Sequence, residues 1–288
     1  MTGGIRALRA RRRIAVPPVG KIAVAVAMAL LLTSSGQVLA KPSSSNALSE
    51  AAPPLPAWSM NIFDRSVFRY QNPDQDGCVA AATIDMLNLV ALQPGAELPP
   101  PGGGSLAETT FRWSVTLSWN TQKKILWFER KHMTTVKTDS GSDPHGWRNG
   151  LNYYGWGSLK AGMYKDAAFR TVDQAARAAI DSLARNGKPV GILAWSGGHA
   201  QFVTGYSVQG QDPRVGDNYT IVGVFLTDPL RRDALVNTFV SYWNWRTGPL
   251  AWRFTKDTQT DSPYVDPIDG KEGNLEWYGK WVIIEPTR

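Results

Sequence analysis

The residues best suited to chemistry in this 288-residue sequence are one cysteine and three histidines. Cys78 follows a turn-forming stretch at 73–77 and precedes a run of helix-forming residues with no Gly or Pro before Pro94. This pattern predicts a helix that begins at Cys78. The unpaired N–H groups at a helix start favour an anion, so a thiol there loses its proton more easily than a free cysteine does. Cys78 is therefore the candidate nucleophile.

The alternative role for Cys78 is that of a small buried hydrophobic residue, because free cysteine is among the most buried residue types. Two features favour the reactive role. The predicted helix is apolar on nearly every side over 79–90, which indicates a central buried helix whose open end presents the thiol. The chain also begins with an export signal, and a single cysteine in an exported chain is either reactive or linked to another molecule.

A reacting thiol needs a base, and His is the usual one because its ordinary pKa lies near 6.5. His132 lies in the charged run 129–132 and is predicted to be a solvated surface residue. His145 follows Asp143-Pro144 and is predicted to occupy the first turn of a helix. His199 is preceded by two glycines and followed by an apolar strand, so the backbone can approach closely and a substrate has room. His199 is the candidate base, with a hydrogen-bonded strand-start histidine as the alternative.

A third group must orient the imidazole, and Asp228 has the type and the position for it. It follows the strand predicted next after that of His199, and adjacent antiparallel strands can bring the start of one beside the end of the next. Asp228 could equally be a turn former. The oxyanion of a tetrahedral intermediate needs donors, which the backbone N–H of Cys78 and the side-chain amide of Gln71 or Gln75 would supply.

The first 40 residues have the three parts of a secretory signal peptide: six basic residues, an apolar run at 22–32, and small residues ending at Ala40, where we expect cleavage. An uncleaved membrane anchor is the alternative, although the apolar run is shorter than the roughly 18 residues of a membrane span. Removal of the segment lowers the formal net charge from +7 to about +1. Since no basic stripe remains, we expect no nucleic-acid partner and no stable membrane insertion after cleavage.

Residues 41–56 are rich in Ser, Ala and Pro and are predicted to be a disordered leader, which leaves 57–288 as one domain. Apart from the cysteine helix, we predict helices at 143–154 and 171–185. We predict strands at 109–120, 190–195, 199–208, 219–226 and 276–284, and hairpins between the middle three.

Four motifs follow one another along residues 65–230. They are a Gln, a Cys at a helix start, a His after a Gly-rich turn on a strand, and an Asp-Pro pair after the next strand. The Gln and the Cys lie in 71–86, the His in 197–206 and the Asp-Pro pair in 226–229, and the helix-then-strand stretch 171–193 lies between the Cys and the His. Their order resembles that of the papain-fold cysteine peptidases, in particular the bacteriocin-processing, double-glycine peptidase-like branch.

The resemblance implies an α+β, papain-like fold, in which a central N-terminal helix bearing the Cys packs against an antiparallel β-sheet bearing the His and the Asp. It also implies the roles of four residues: Cys78 as nucleophile, His199 as general base, Asp228 as orienting residue and Gln71 as oxyanion donor. The sequence departs from the family where Val79-Ala80 replaces a Gly-Pro pair, where the loop at 207–218 is longer, and where Gln71 precedes Cys78 by seven residues, one more than usual. The double-glycine substrate preference is not transferred.

We therefore predict a secreted, thiol-dependent peptidase or amidase that acts on a peptide or protein, cell-wall peptide included. One alternative is an acyl-transfer enzyme, transglutaminase-like or a cell-wall amidase, which uses the same order of Cys, His and Asp. The other is a catalytically silent extracellular binding module that uses some of the 12 tryptophans. We expect no cofactor and no metal, because one Cys and three separated His provide no pair with ligand spacing.

Overall fold

A seven-stranded antiparallel sheet and five α-helices make up the part of the chain that the structure describes. This computed structural model describes residues 54–73, 76–94, 115–134, 141–230, 235–247 and 277–288, all within the unit Pro53–Arg288. The helices are α1 (Cys78–Ala91), α2 (Val115–Lys131), α3 (Pro144–Trp156), α4 (Val172–Asn186) and α5 (Tyr242–Thr247). The strands are β1 (Ala57–Asn61), β2 (Tyr164–Phe169), β3 (Val190–Ala194), β4 (His199–Gly210), β5 (Tyr219–Thr227), β6 (Thr238–Ser241) and β7 (Trp281–Pro286).

The long strand β4 connects the two halves of the sheet, whose order is β2-β7-β3-β4-β5-β6. The first half of β4 pairs with β3 and its second half pairs with β1, while β5 pairs along the opposite edge. All of these pairings are antiparallel. The start of β4 and the end of β5 therefore lie at the same end of the sheet, which is where the candidate site forms.

Both faces of the sheet are covered at its centre, because β3 and β7 alternate their side chains between two apolar clusters. In β7, Val282 and Ile284 belong to the cluster shared with α1, α2 and α3, whereas Ile283 belongs to the cluster shared with α4 and α5. In β3, Leu193 and Ile192 divide between the clusters in the same way. A strand buried on both faces has a continuous apolar sequence, which explains the run at 190–194.

Helix α1 is buried along its whole length, since every residue from 78 to 90 is buried and the helix packs against β4, α2 and α3. Its polar residues have partners: Asp85 accepts the backbone N–H of Arg69 at 2.7 Å, and the Thr83 hydroxyl donates to Glu129 at 2.7 Å. The prediction of a central buried helix that begins at Cys78 is confirmed. Neither α1 nor any other helix in the described segments is long and apolar enough to cross a membrane.

Several other sequence predictions are confirmed within one or two residues, among them α3, α4 and the strands β3, β4 and β5. Local signals explain this success. Asp143 caps α3 by accepting the N–H of Gly146, and Thr171 caps α4 by accepting the N–H of Gln174. Gly187 ends α4 in the left-handed conformation, with φ at 61°.

The strand predicted at 109–120 is wrong from residue 115 onward, where α2 begins, and its earlier residues lie outside the described ranges. The apolar period of a helix becomes visible only further along α2, where Ile125, Leu126 and Phe128 are buried. Strands β1, β2 and β6 were not predicted. Each has six residues or fewer, which is too short to show a clear alternation of apolar side chains, and β1 and β2 pair with strands far away along the chain.

Candidate active site

Cys78 is the first residue of α1. The N-cap is Gly77, which has no side chain to accept the N–H groups of the first turn, and that turn contains no acidic residue. Cys78 is buried, with 8% of the residue exposed, and it lines a cavity of about 300 Å³. The positive end of the helix dipole therefore acts on a sulfur that a small reagent in the cavity can reach.

The strand register brings His199 and Asp228 together. His199 is the first residue of β4, and Asp228 follows the last residue of β5. Phe202 pairs with Thr227 across these strands, so Asp228 lies opposite Gln201 and one step along the same face from His199. The His199 ring and the Asp228 carboxylate are hydrogen-bonded, with 2.8 Å between Nε2 and Oδ1.

Cys78 and His199 line the same cavity, and the Cys78 side chain acts on the imidazole closely enough to raise the pKa of His199. Since Nε2 faces Asp228, Nδ1 is the ring nitrogen that remains for the sulfur. Burial acts to lower the pKa of His199, but the hydrogen bonds and charges of Asp228 and Cys78 outweigh it and raise that pKa from 6.5 to about 9. At neutral pH the imidazole is therefore protonated between the sulfur and the carboxylate.

Asp228 is buried and accepts hydrogen bonds from three donors. Its Oδ1 accepts from the His199 ring and from the backbone N–H of Leu230, both at 2.8 Å, and its Oδ2 accepts from Nε2 of Gln201 at 2.7 Å. Burial acts to raise the pKa of Asp228, but these bonds and the imidazolium charge hold it below the ordinary 3.8. The ionised carboxylate both orients the ring and stabilises its positive charge.

Gln71 lines the same cavity as Cys78 and His199. Its backbone N–H donates to the carbonyl of Pro229 at 2.6 Å, which fastens it to the residue after Asp228. The structure thus brings all four residues that the sequence singled out to one place. Gln75, the other amide considered as an oxyanion donor, lies outside the described residues.

A buried side chain of α2, Gln122, holds the segment that carries Gln71. Its Oε1 accepts the backbone N–H of Asn72 at 2.7 Å, and its Nε2 donates to the carbonyl of Tyr70 at 2.8 Å. These two bonds fix the backbone on both sides of Gln71. Sequence reasoning did not identify Gln122, because the contact joins residues 50 positions apart.

Trp195 lies on the imidazole of His199, with ring centroids 4.2 Å apart and an angle of 23° between the planes. Its ring remains 48% exposed and forms part of the cavity wall. The backbone of Trp195 and Ser196 is left-handed, with φ of 50° and 62°, and Gly197 follows at 91°. The sequence predicted a turn at 196–198 but contained no signal that this tryptophan would cover the base.

Glu129 is a buried carboxyl whose pKa is affected by Cys78, and it was not identified from the sequence. Its Oε1 accepts the Thr83 hydroxyl, and a Cβ at position 150 would lie only 2.5 Å from that oxygen, so the glycine there makes room for it. Burial raises the pKa of Glu129 well above 4.5; the charge of Cys78 acts in the same direction, and the Thr83 bond opposes it. Burial therefore favours the neutral form of the Glu129 carboxyl.

The other two histidines lie in structural contacts. His145 is fully buried in α3, where Nδ1 lies 2.7 Å from the Thr134 hydroxyl and Nε2 lies 3.5 Å from the Asp166 carboxylate. His132, predicted to be a solvated surface residue, is only partly exposed, because its ring packs on Phe128 at 4.1 Å. Neither histidine lines the cavity around Cys78.

The raised pKa of His199 makes stability depend on pH. Because the folded-state pKa lies above the ordinary value, the stabilisation is fully present below about 6.5 and is lost as the pH rises through about 9. We expect the free energy of unfolding to fall by up to about 3 kcal/mol over this interval, at about 1.4 kcal/mol per pKa unit. Urea unfolding at a series of pH values measures it.

Asp228→Asn is the control for this pH dependence, since it removes the charge that holds the proton on His199. We expect the free energy of unfolding of the variant to fall less than that of the wild type over the same pH interval. Parallel curves for the wild type and the variant would show that other groups cause the pH dependence.

Among the described residues, no group of three or more His, Cys, Asp or Glu side chains is placed to hold a metal ion. Comparison of the chain with protein-family models, with curated proteins and with solved structures found no match. The chemistry of the site is therefore inferred from its own side chains.

Proposed function

We propose that this protein is a thiol-dependent hydrolase of peptide or amide bonds, with Cys78 as nucleophile, His199 as general acid and base, and Asp228 as the residue that orients the imidazole. The observation that carries the proposal is that Cys78 and His199 line one cavity while the His199 ring is hydrogen-bonded to the buried Asp228 carboxylate, with 2.8 Å between Nε2 and Oδ1. A nucleophile, a base within hydrogen-bond reach and a third group that orients the base are the recurring parts of such enzymes.

In the proposed reaction, His199 already holds the proton that Cys78 has given up, and the thiolate sulfur attacks the substrate carbonyl carbon. The oxygen of the tetrahedral intermediate accepts from the Cys78 backbone N–H, at the uncapped start of α1, and from the side-chain amide of Gln71. When the intermediate collapses, the C–N bond breaks and the imidazolium gives its proton to the leaving amine. The acyl group remains on the sulfur as a thioester.

The second half of the reaction restores the free thiol. His199 takes a proton from a water molecule, which attacks the thioester carbonyl; the C–S bond then breaks, the carboxylic acid is released, and the sulfur leaves as a thiolate that takes the proton back from the imidazolium. Asp228 stabilises the imidazolium in both halves without taking its proton. If an amine replaced the water, the same steps would transfer the acyl group, so the nucleophile that enters decides between hydrolysis and transfer.

The papain-like fold is part of this proposal. Its support is that the helix bearing Cys78 packs on the antiparallel strand that begins with His199. We place the enzyme outside the cytoplasm, because residues 1–40 have the pattern of a signal peptide. A peptide, including a cell-wall peptide, is the proposed substrate class.

Alkylation of the thiol tests the proposal, since Cys78 is the one cysteine of the chain and every label reports on it. At pH 6 only roughly 0.3% of a free cysteine is thiolate, given its ordinary pKa of about 8.5. We expect iodoacetamide to modify Cys78 at least about tenfold faster than N-acetylcysteine at this pH, because the imidazolium and the helix start stabilise the anion. Intact mass spectrometry follows the rate.

The matched control is His199→Ala, which leaves the thiol at the same helix start without its base. We expect its alkylation at pH 6 to fall to or below the rate of the free thiol. If wild-type Cys78 reacts no faster than N-acetylcysteine, the thiol is not activated, and a binding module without catalysis is the better description.

A further inference from the structure

Gln201 is the residue directly opposite Asp228 on the neighbouring strand. Its Nε2 donates to Oδ2 of Asp228 at 2.7 Å, while Oδ1 of the same carboxylate faces the His199 ring at 2.8 Å. The two carboxylate oxygens therefore accept hydrogen bonds from different side chains, Oδ1 from His199 and Oδ2 from Gln201. Hydrogen bonds to an ionised acceptor are roughly twice as strong as neutral ones, so this contact fixes the rotation of the carboxylate.

The environment of the second amide atom, Oε1, indicates why a glutamine occupies position 201. Gln201 is fully buried, and its Oε1 has no hydrogen-bond partner among the described residues. Burying an unsatisfied polar atom costs about 1–3 kcal/mol. An apolar side chain at this position would avoid that cost, so the donation to Asp228 is the contact that explains a glutamine here.

The geometry also limits which groups can take this role. Oδ1 of Asp228 already receives the His199 ring and the backbone N–H of Leu230. Without a donor at position 201, Oδ2 would be left unsatisfied in a buried place, and the carboxylate would turn to share its oxygens among the remaining donors. Such a turn moves Oδ1 away from the imidazole and loosens the ring that faces Cys78.

We infer that Gln201 is a positioning residue of the proposed thiol hydrolase, which fixes the Asp228 carboxylate and through it the imidazole of His199. This inference rests on the proposed function. Gln201 acts through Asp228 and does not contact the sulfur. Its loss weakens the chemical step and leaves substrate binding intact, because Gln201 is not part of the cavity wall.

The experiment compares Gln201→Met, which keeps the length of the side chain and removes the donor, with Gln209→Met. Gln209 lies on the same strand and is exposed, so it is a matched control. Alkylation by iodoacetamide is measured from pH 5 to 9, together with kcat and KM on a cleaved peptide. For Gln201→Met we expect the alkylation rate at pH 6 and kcat both to fall about tenfold, with KM nearly unchanged. We expect Gln209→Met to match the wild type in all three.

A second variant, Gln201→Glu, distinguishes the loss of the hydrogen bond to Asp228 from a change in side-chain packing. Its carboxyl donates to Asp228 only when it is protonated, so we expect its deficit in alkylation relative to the wild type to shrink as the pH falls. Wild-type rates in Gln201→Met, with a reactive wild type, would overturn the inference and leave the hydrolase proposal standing. A wild type that reacts like a free thiol would instead remove the proposed function itself.

Discussion

Replacing Cys78 by alanine is expected to lower peptide hydrolysis by about 10⁴-fold or more, because the loss of a nucleophile removes the covalent route entirely. Hydrolysis of a panel of fluorogenic peptides and labelling by a peptidyl acyloxymethyl ketone measure the effect. Added amines such as hydroxylamine, followed by mass spectrometry of the products, distinguish hydrolysis from acyl transfer in the wild type.

The fold is expected to survive this change. Cys78 is a small residue at the first position of α1, and alanine is the best helix former, so the melting temperature should move by only a few degrees. Cys78→Ser is the second variant, since it nearly preserves the volume of the side chain. If either folded variant retains wild-type turnover, Cys78 is not the nucleophile.

Replacing Asp228 by alanine is the second large effect, with an expected loss of about 10³- to 10⁴-fold in kcat. The change removes the acceptor of the His199 ring and leaves the donors of Gln201 and Leu230 without their partner. Because the carboxylate raises the pKa of His199, the alkylation rate of Cys78 at pH 6 should fall as well.

Asp228→Asn is expected to be milder than Asp228→Ala by about tenfold in kcat, because an amide oxygen still accepts from the imidazole while the negative charge is lost. Gln201 can turn its amide to meet the new NH₂ group, since its Oε1 has no other partner in the described part of the chain. If kcat of both Asp228→Ala and Asp228→Asn stays within threefold of the wild-type value, Asp228 does not orient the imidazole.

Much of the scaffold was predictable from the sequence because its signals are local. The cap at Thr171 and the Gly187 stop define α4, and the apolar runs on either side of two glycines define β3 and β4. The candidate residues Cys78, His199 and Asp228 were predictable for a related reason, since each lies at the start or end of an element. Element ends are where polar side chains can meet in a cavity.

The contacts that refine the site were not predictable, because they join residues far apart in the chain. The run that contains Glu129 was interpreted as charged surface, yet α1 and α3 bury that residue completely. Trp195 was interpreted as the end of a strand, and its place on the imidazole depends on a left-handed backbone that is rare for non-glycine residues. Gln201 acquires its role only from the register of β4 and β5.

The left-handed backbone at Trp195 and Ser196 has a consequence for substitutions in the cavity wall. Such conformations cost of order 1–3 kcal/mol each and persist only when their surroundings enforce them. The wall of the cavity and the base belong to one short piece of chain, so a substitution that widens the wall also displaces the base. A change of the cavity wall outside this segment, for example at Ser142, is expected to disturb the imidazole less.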